Sequence, residues 1–319
     1  MTESRGDVAV VTGGAGAIGS VLVRSLLQSG VSARVIDNLS SGRREALGNP
    51  SGPSTLTLVQ ADLRDLAAIE PVVKGAREIW HLAANPDIRR GTDDPTIDFE
   101  HGTRATFNAL EAARRADVPR FLFASSSVVY GLPTTFPTPE EYGPLLPASL
   151  YGASKLASEA MISAFAECYG MSNYIFRFAN IIGPAMTHGV IYDFFAKLRR
   201  DPKRLEVLGD GHQAKSYLRT EDCVGGMRLV ADQAHARVNL YNLGNVDRIS
   251  VKEIAEIVVA AHGGGARIEY VGGERGWVGD IPRQWLAIDK VRGLGWSPRE
   301  TSVESVRRTV AEMRAASAA

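Results

Sequence analysis

The stretch of sequence that decides the fold is Thr12-Gly13-Gly14-Ala15-Gly16-Ala17-Ile18-Gly19. It follows the apolar run Val8-Ala9-Val10-Val11, which predicts a buried strand, and it opens a helical pattern at residues 17–28. The glycines satisfy both G-x-G-x-x-G, from Gly14, and G-x-x-G-x-x-G, from Gly13. Glycines between a strand and a helix allow a tight turn, and the helix N-terminus then faces the negative charge of a pyrophosphate. The stretch therefore predicts a dinucleotide-binding site in an α/β fold.

Beyond this turn, short apolar runs alternate with longer helical patterns. Further strands are predicted at residues 33–37, 56–59, 78–82, 121–124 and 174–178, and helices at 99–116 and 151–169, the last ended by Gly170. The second half is less regular, with helical patterns at 190–199, 220–231, 251–261 and 303–315. We therefore predict an α/β protein with a doubly wound parallel (Rossmann) sheet and a smaller mixed α/β substrate-binding domain.

The composition is that of an ordinary globular protein. Its 319 residues are 45% hydrophobic and 23% charged, and 36 basic and 36 acidic side chains give a formal net charge of zero. No basic stripe indicates nucleic-acid binding, and no run of about 18 apolar residues indicates a membrane span. The N-terminus lacks a signal pattern, and the two cysteines, Cys168 and Cys223, are too few for a disulfide framework. We expect a cytoplasmic protein that binds neither nucleic acid nor membrane, and we predict no metal site.

Acidic residues at two strand ends bear on the choice of dinucleotide. Asp37 ends the second predicted strand, where a carboxylate can accept hydrogen bonds from the adenosine ribose and repels a 2′-phosphate, which favours NAD over NADP. Arg43 and Arg44 argue for NADP, because an arginine can hold a 2′-phosphate, unless they belong to a solvated turn. Asp62 follows the third strand, either beside the adenine or as the N-cap of the next helix.

Tyr151 and Lys155 are four residues apart in a predicted helix, so their side chains lie on one face, one turn apart. A phenol has a pKa of about 10, and a nearby ammonium favours the phenolate. The pair can therefore move the proton of an alcohol or sugar hydroxyl. Ser126 ends the fifth predicted strand, where its hydroxyl can bridge such a substrate and the Tyr151 phenol.

Six motifs in order give the sequence a family likeness. They are the glycine turn, Asp37-Asn38-Leu39, His81-Leu82-Ala83-Ala84, Ser126-x-x-x-Tyr130-Gly131, Tyr151-x-x-x-Lys155 and Arg177-Phe178-x-Asn180. With them, the chain resembles an extended short-chain dehydrogenase/reductase over almost its whole length. Segments 81–87, 187–194, 209–217 and 275–280 are similar to those of nucleotide-sugar 4-epimerases, especially archaeal-type UDP-glucose 4-epimerases.

The resemblance implies an NAD-dependent UDP-sugar 4-epimerase, an isomerase of carbohydrate metabolism. Tyr151 would be the acid/base, Ser126 would orient the sugar O4, and Lys155 would bind the nicotinamide ribose and lower the pKa of Tyr151. NAD⁺ would take a hydride from C4 of the sugar to give a 4-keto sugar, and return of the hydride to the other face would invert C4. These three residues are the predicted catalytic set.

The resemblance also implies binding residues and organisation. The predicted cofactor contacts, besides Tyr151 and Lys155, are Gly13, Gly16, Ala17, Ile18, Gly19, Asp37, Asn38, Ser40, Gly42, Asp62, Leu63, Leu82, Ala83 and Ala84. The predicted contacts to the UDP-sugar, besides Ser126, are Asn180, Val190, Lys215, Tyr217, Arg275 and Asp280. Residues 1–182, with roughly residues 215–245, are expected to form the NAD-binding domain, and residues 183–319 mainly the substrate domain. A homodimer is expected through the helices at 99–116 and 151–169.

The residues after Ser126 discriminate among related chemistries. Related 4,6-dehydratases carry Asp-Glu directly after this position and related uronate decarboxylases carry Glu at the position of Val128, whereas this chain has Ser127 and Val128. The alternatives that remain are a UDP-glucuronate 4-epimerase and an NAD(P)-dependent nucleotide-sugar reductase with net redox. Candidates for contacting a uronate carboxylate, with ordinary surface positions as the alternative, are Arg89, Arg90, Thr187 and His188.

Two positions depart from the family pattern. Lys215 replaces an arginine that is usual in many relatives, and a lysine neutralises a phosphate as a point charge without the bidentate fork. Gly102 stands near the position where many epimerases have an asparagine, so a contact to the cofactor or to a buried water is either missing or made by His101.

Overall fold

The structure is a computed structural model that describes residues 7–49 and 53–318. Its strands, numbered in chain order, are β1 (Val8–Thr12), β2 (Ser32–Asp37), β3 (Leu56–Gln60), β4 (Glu78–His81), β5 (Arg120–Ser126), β6 (Ser172–Phe178), β7 (Asn180–Ile182), β8 (Arg204–Val207), β9 (Ala214–Lys215), β10 (Tyr217–Arg219), β11 (Val238–Leu243), β12 (Ile249–Ser250), β13 (Arg267–Tyr270) and β14 (Arg283–Gln284). Its helices are α1 (Ala17–Gln28), α2 (Leu66–Val73), α3 (Arg90–Asp93), α4 (Thr96–Asp98), α5 (Ala105–Arg115), α6 (Leu150–Tyr169), α7 (Val190–Arg200), α8 (Thr220–Gln233), α9 (Val251–Ala261), α10 (Asp289–Arg292) and α11 (Ser302–Ala318). Turns of 3₁₀ helix lie at Arg44–Leu47 and Ser127–Tyr130, and a π-helical segment lies at Phe99–Arg104.

Seven parallel strands form the central sheet, in the order β11-β6-β5-β4-β1-β2-β3. From β1 the chain builds β2 and β3 on one side and then β4, β5 and β6 on the other, so the two directions diverge between β1 and β4. In open α/β sheets a ligand crevice forms at the carboxyl ends of the strands beside such a point. The predicted doubly wound α/β fold is confirmed.

Apolar packing on both faces of the sheet holds the helices in place. On one face, Leu22 of α1 and Met227 of α8 pack with Phe176 of β6. On the other face, Leu110 of α5 and Ile162 of α6 pack with the phenylalanines of β5. A strand buried on both faces needs apolar side chains at successive positions, which is why these strands read as continuous apolar runs.

A smaller region stands beside the carboxyl ends of the strands. Helices α7, α9 and α11 bury a separate apolar core that includes Phe194, Ile254 and Val306. Short sheets with the strand orders β10-β7, β12-β9-β14 and β13-β8 complete it. The arrangement leaves a cleft between this region and the large sheet.

Most predicted elements agree with the structure, but one predicted helix is divided, and β11 of the central sheet was not predicted. The helix predicted at 17–28 is α1, and Gly170 ends α6 with a φ of +69°. The helix predicted at 99–116 is divided, because the π-helical segment precedes α5; at Gly102 an added Cβ would lie 2.5 Å from Ser154 Oγ, so the wide turn contacts α6 through its backbone. No apolar run predicted β11, whose polar Asn239 and Asn242 interrupt the pattern.

Candidate active site

A cleft of about 1160 Å³ lies at the carboxyl ends of the central strands, between the sheet and the smaller region. Every predicted site residue lines it except Arg275, although the adjacent Gly276 and Trp277 do. Of the two arginines that favoured NADP, Arg43 lines the cleft, whereas Arg44 does not. The sequence motifs therefore predicted the residues that line the cleft.

The glycine turn forms the wall of the cleft on the side of the central sheet, and it does so with backbone atoms. Gly13 has a φ of +67°, and a Cβ added there would lie 2.7 Å from the backbone nitrogen of Ala83 at the end of β4. Gly14 does not line the cleft and packs instead against Val35, so the spacing that begins at Gly13 is the one the cleft uses. Bare backbone at the start of α1 is what a pyrophosphate requires, and these residues fit a dinucleotide.

Asp37 fastens this turn to the loop that follows β2. Its carboxylate accepts hydrogen bonds from the backbone N–H groups of Ala15 and Leu39, each at 2.9 Å. Because each carboxylate oxygen can accept more than one hydrogen bond, capacity remains for a ribose hydroxyl. The carboxylate is 8% exposed and lines the cleft, where its charge opposes a 2′-phosphate.

Asp62 is held by an arginine rather than by a helix. Arg64 binds it through two side-chain hydrogen bonds of 2.8 and 3.0 Å, and these hold the pKa of the Asp62 carboxyl far below its usual range. The N-cap of α2 is Asp65, which accepts from the backbone of Ala67 and Ala68, so the N-cap interpretation of Asp62 is wrong. Asn38 reaches Asp62 at 3.4 Å, which links two of the predicted cofactor contacts.

Tyr151 and Lys155 lie in the first turns of α6, which Ser149 caps by accepting a hydrogen bond from Gly152 N at 3.1 Å. Lys155 Nζ donates to the backbone carbonyl of Ala124 in β5 at 2.7 Å, so the helix is registered against the strand that ends in Ser126. The same Nζ lies 5.6 Å from the centre of the Tyr151 ring. The three residues of the predicted catalytic set therefore face one cleft from two adjacent elements.

Burial dominates the acid–base properties of this pair. It lowers the pKa of Lys155, which is 3% exposed, to about 8. It also raises the pKa of Tyr151, and the nearby Asp98 carboxylate raises it further. The expectation that Lys155 lowers the pKa of Tyr151 stays a prediction for the cofactor-bound enzyme, because in the protein alone burial raises this pKa.

A buried histidine, to which the sequence analysis assigned no role of its own, supports the same wall of the cleft. His81 is fully buried, with Thr12 Oγ1 at 2.7 Å from Nδ1 and Thr106 Oγ1 at 3.0 Å from Nε2. Thr106 donates in turn to the carbonyl of Gly102 at 2.7 Å. Burial lowers the pKa of His81 to about 3, so its ring is neutral and serves as a connector between β1, β4 and the π-helical segment. The one sequence signal was its place in His81-Leu82-Ala83-Ala84.

Charged and polar side chains, rather than backbone, make the opposite wall. Lys215 Nζ pairs with Asp280 Oδ1 at 2.6 Å, and the other oxygen of Asp280 accepts from Gly276 N at 3.0 Å. The two residues, both predicted to contact the UDP-sugar, therefore contact each other. The Asn180 amide donates to Ser216 O at 3.1 Å and to Gln284 Oε1 at 3.0 Å.

Arg89 joins the loop after β4 to helix α7. Its guanidinium lies 3.3 Å from Asp193 Oδ2 and 3.6 Å from Asp87 Oδ1. All three line the cleft, together with Thr187 and His188, while Arg90 does not. The one arginine therefore faces two carboxylates.

A buried ion pair lies behind the catalytic residues. Glu159, two turns along α6 from Tyr151, pairs with Arg177 of β6 at 2.7 Å, and both side chains are less than 10% exposed. Glu159 also accepts a hydrogen bond from Ser125, the neighbour of Ser126. The Arg177 guanidinium lies 4.7 Å from the centre of the Tyr130 ring. The pair joins the strand ends to the catalytic helix.

Within the residues that the structure describes, no group of three or more His, Cys, Asp and Glu side chains is arranged to hold a metal ion. Over the same residues, no helix has both the length and the apolar character needed to cross a membrane.

The glycine turn, the strand-end serine and the Tyr-Lys helix together define an NAD-binding α/β enzyme of the short-chain dehydrogenase/reductase type. The chain belongs to the NAD dependent epimerase/dehydratase family, which residues 9–244 match. The predicted family and NAD as its cofactor are confirmed.

Similar proteins of this family span nearly the whole chain. A putative UDP-glucose 4-epimerase of Methanocaldococcus jannaschii is 32% identical over 311 residues, which cover 96% of this chain and 98% of that protein. The crystal structure of a UDP-galactose 4-epimerase has 41% sequence identity and a TM-score of 0.88, covering 97% of this chain and 99% of that one. UDP-glucuronic acid decarboxylase 1 of Arabidopsis thaliana is 31% identical over 314 residues, which cover 96% of this chain and 69% of that protein.

Proposed function

We propose that this protein is a UDP-sugar 4-epimerase that interconverts UDP-glucose and UDP-galactose. One observation carries the proposal: Ser126, Tyr151 and Lys155 line the same cleft as the glycine turn, while Ser127 and Val128 provide no acid for elimination or decarboxylation. The similar 4-epimerases, one of them at 41% identity, support this choice.

The protein's own groups divide the work at C4 of the sugar. NAD⁺, when bound, would supply reversible hydride transfer at C4 and a positive charge in the cleft. The Tyr151 phenolate would take the proton of O4 as the sugar is oxidised, and the resulting phenol would return it as the keto sugar is reduced. The Ser126 hydroxyl would orient O4 by hydrogen bonding. Lys155, fixed on Ala124 O, keeps its charge up to a pH of about 8 and places it beside Tyr151.

The residues that line the cleft support the assignment of the NAD-binding and UDP-binding residues. Asp37 and the backbone of the Gly13 turn would hold the adenosine and the pyrophosphate, and Leu82, Ala83 and Ala84 offer small surfaces beside them. Asn180, Lys215 and Asp280 would hold the UDP moiety on the opposite wall. Arg275 lies outside the lining, so a role for it requires its side chain to turn toward the cleft when the nucleotide binds.

The charge near the loop after β4 favours a neutral sugar over a uronate. The Arg89 guanidinium forms ion pairs with the carboxylates of both Asp87 and Asp193, so two negative charges share one positive charge. A substrate carboxylate at this end of the cleft would meet two negative groups and one shared positive group, which disfavours it. The alternative, a UDP-glucuronate 4-epimerase, requires Arg89 to leave both partners.

The experiment is incubation of the purified protein with UDP-glucose, UDP-galactose, UDP-glucuronate and UDP-galacturonate, each without added cofactor, with C4 stereochemistry followed by NMR. We expect interconversion of the two hexoses at far higher kcat/KM than of the uronates. In a parallel incubation with NADPH added, its stoichiometric consumption with a reduced product would establish a reductase and end this proposal.

We also propose a homodimer through the α5–α6 face. Phe107 of α5 and Tyr169 of α6 are 44% and 54% exposed, and Phe165 packs edge-on against both. Phe99, in the π-helical segment eight residues before Phe107, is 58% exposed. Apolar rings on one exposed face are what a second copy of the same face would cover. Phe107→Glu should give a monomer in light scattering, while a wild-type protein that is itself monomeric at micromolar concentration would contradict the dimer.

The domain division is supported by the course of the chain, and the cytoplasmic location by its cysteines. β11 lies in the large sheet and α8 packs on it, as expected if roughly residues 215–245 return to the NAD-binding domain formed by residues 1–182. Cys168 and Cys223 are both free thiols, which fits a reducing compartment.

A further inference from the structure

We propose that Gln284 is a positioning residue for the epimerisation, one that joins the nucleotide-sugar wall of the cleft to the turn that carries Ser126. The inference rests on the proposed function for its kinetic consequences. It comes from a buried side chain that does not line the cleft and yet is bonded to two residues that do.

Each end of the Gln284 amide contacts a different wall. The nitrogen, Nε2, donates to Ser127 Oγ, in the residue that follows Ser126. The oxygen, Oε1, accepts from the Asn180 amide at 3.0 Å. Gln284 is 7% exposed and Ser127 is 6% exposed, so water does not compete for these bonds.

The backbone around Gln284 is fixed to the same wall. β14 pairs in parallel with β9, with Gln284 opposite Lys215, and Ser216 N donates to Gln284 O at 3.0 Å. Lys215 in turn is paired with Asp280, four residues before Gln284. Any group of the substrate that displaces Asn180 or Lys215 therefore acts on the strand that carries Gln284.

The hydrogen bond from Gln284 to Ser127 affects the position of Ser126. Ser126 caps the 3₁₀ turn Ser127–Tyr130 and accepts from Val128 N at the long distance of 3.4 Å, so its own cap bond holds it weakly. The Ser127–Gln284 bond is the side-chain tether of this turn toward the smaller region. The Ser126 hydroxyl thus takes its place partly from Gln284, which transmits the position of Asn180 to the catalytic wall.

The test is a pair of double-mutant cycles with kcat and KM measured separately for UDP-galactose. Gln284→Ala should lower kcat and raise KM by about fivefold to tenfold each, the size expected for losing a buried neutral hydrogen bond at either end. Ser127→Ala should lower kcat alone, and Asn180→Ala should raise KM alone.

If Gln284 acts through these two partners, the effects will not multiply. The Gln284→Ala/Ser127→Ala variant should have the kcat of Gln284→Ala, and the Gln284→Ala/Asn180→Ala variant should have its KM. Fully multiplicative effects in both cycles, or wild-type kinetics in Gln284→Ala, would overturn the proposal.

Controls separate positioning from loss of stability and from failure of the proposed function. Asn239→Ala removes a buried amide at the opposite ends of the strands, where Nδ2 bonds Ala236 O at 2.6 Å; it should lower thermal stability and leave kcat and KM unchanged. If Gln284→Ala does not fold, Gln284→Met keeps about the same volume and removes both hydrogen-bonding groups, and it should show both the loss in kcat and the increase in KM.

Calorimetric titration with UDP supplies the arm that does not depend on turnover. Gln284→Ala and Asn180→Ala should weaken UDP binding equally, and the double variant no further. A wild-type protein that binds UDP but does not epimerise UDP-sugars would refute the proposed function. The binding data would still test the link between Gln284 and Asn180, because unchanged UDP affinity in Gln284→Ala would show that this link does not affect binding.

Discussion

The two walls of the cleft are built from different material. The sheet wall, formed by the glycine turn and the residues that follow β4, presents backbone, because Gly13 approaches Ala83 so closely that no side chain fits between them. The opposite wall presents side chains that satisfy each other, with Lys215 on Asp280 and Asn180 on Gln284. A backbone surface is fixed before a ligand arrives, whereas paired side chains must exchange partners when one binds. We therefore expect the sheet wall to set cofactor binding and the opposite wall to set substrate binding.

The largest test of this separation is Tyr151→Phe. Removing the phenol hydroxyl removes proton transfer at O4 and should lower kcat by about 10²- to 10⁴-fold. NAD should remain bound, because the glycine turn is unchanged, and cofactor content after purification measures this. Tyr142→Phe, which removes a hydroxyl that accepts from Thr134 N outside the catalytic set, is the matched control. Loss of NAD in Tyr151→Phe would show that the walls are not independent.

The second test adds one carbon to the backbone wall. Gly13→Ala combines a φ of +67° with the clash at Ala83 and should destabilise the protein by about 3 kcal/mol and abolish NAD binding. Gly30→Ala has a φ of +87° with open space around it, so it reports backbone strain alone, about 1 kcal/mol. Urea denaturation of both variants gives the difference. Equal losses would mean that close approach to Ala83 is no constraint.

The third test uses pH to examine Lys155, the buried lysine beside Tyr151. Because the pKa of Lys155 is about 8 when folded and about 10.5 when unfolded, the unfolded chain binds more protons between these values. Lys155 should therefore add about 1.5 kcal/mol to the stability of the cofactor-free protein between pH 8 and about 9.5. The buried Cys223 thiol acts in the opposite direction, because its raised pKa removes stability as pH rises past the pKa of the unfolded thiol.

Lys155→Met removes that titration and is the comparison for the urea denaturation curves. The slope of stability against pH should be lower in this variant than in the wild type over the same window. A wild type and a variant with parallel slopes would show that the Lys155 ammonium is not desolvated.

The smallest test concerns the other lysine of the cleft. If Lys215 binds the diphosphate, Lys215→Met should weaken UDP binding by about tenfold, or about 1.4 kcal/mol. It also leaves Asp280, 5% exposed, without its partner, which destabilises the protein. The double variant Lys215→Met/Asp280→Asn should recover stability and not affinity. Recovery of both would restrict Lys215 to neutralising Asp280.

The contrast between the walls also explains what the sequence could predict. The turn at Gly13 was predictable because close backbone approach and a positive φ demand glycine at fixed spacing, and α1 begins where that spacing places it. The common helix face of Tyr151 and Lys155 was predictable from their spacing, whereas their catalytic role is predicted from the family resemblance. The raised pKa of Tyr151 was not predictable, since it depends on burial and on Asp98, which a distant segment delivers.

Long-range side-chain pairing accounts for the remaining differences. Lys215 and Asp280 are 65 residues apart, and Ser127 and Gln284 are 157 apart, so no local pattern indicates either contact. Arg275 shares a motif with Asp280 but lies outside the cleft lining, because the motif fixes the order of residues along the loop and not the direction of each side chain.

The buried pair of Glu159 and Arg177 has a consequence for the evolution of this protein. Replacing one member leaves an isolated charge in the interior, at a cost of about 3–5 kcal/mol, which is a large part of the stability of an ordinary protein. Neither position can drift alone; a lineage must change both at nearly the same time or keep both. Homologous chains should therefore either retain this acid and base together or replace them together by a neutral couple, and the helix that carries Tyr151 and Lys155 inherits that restraint.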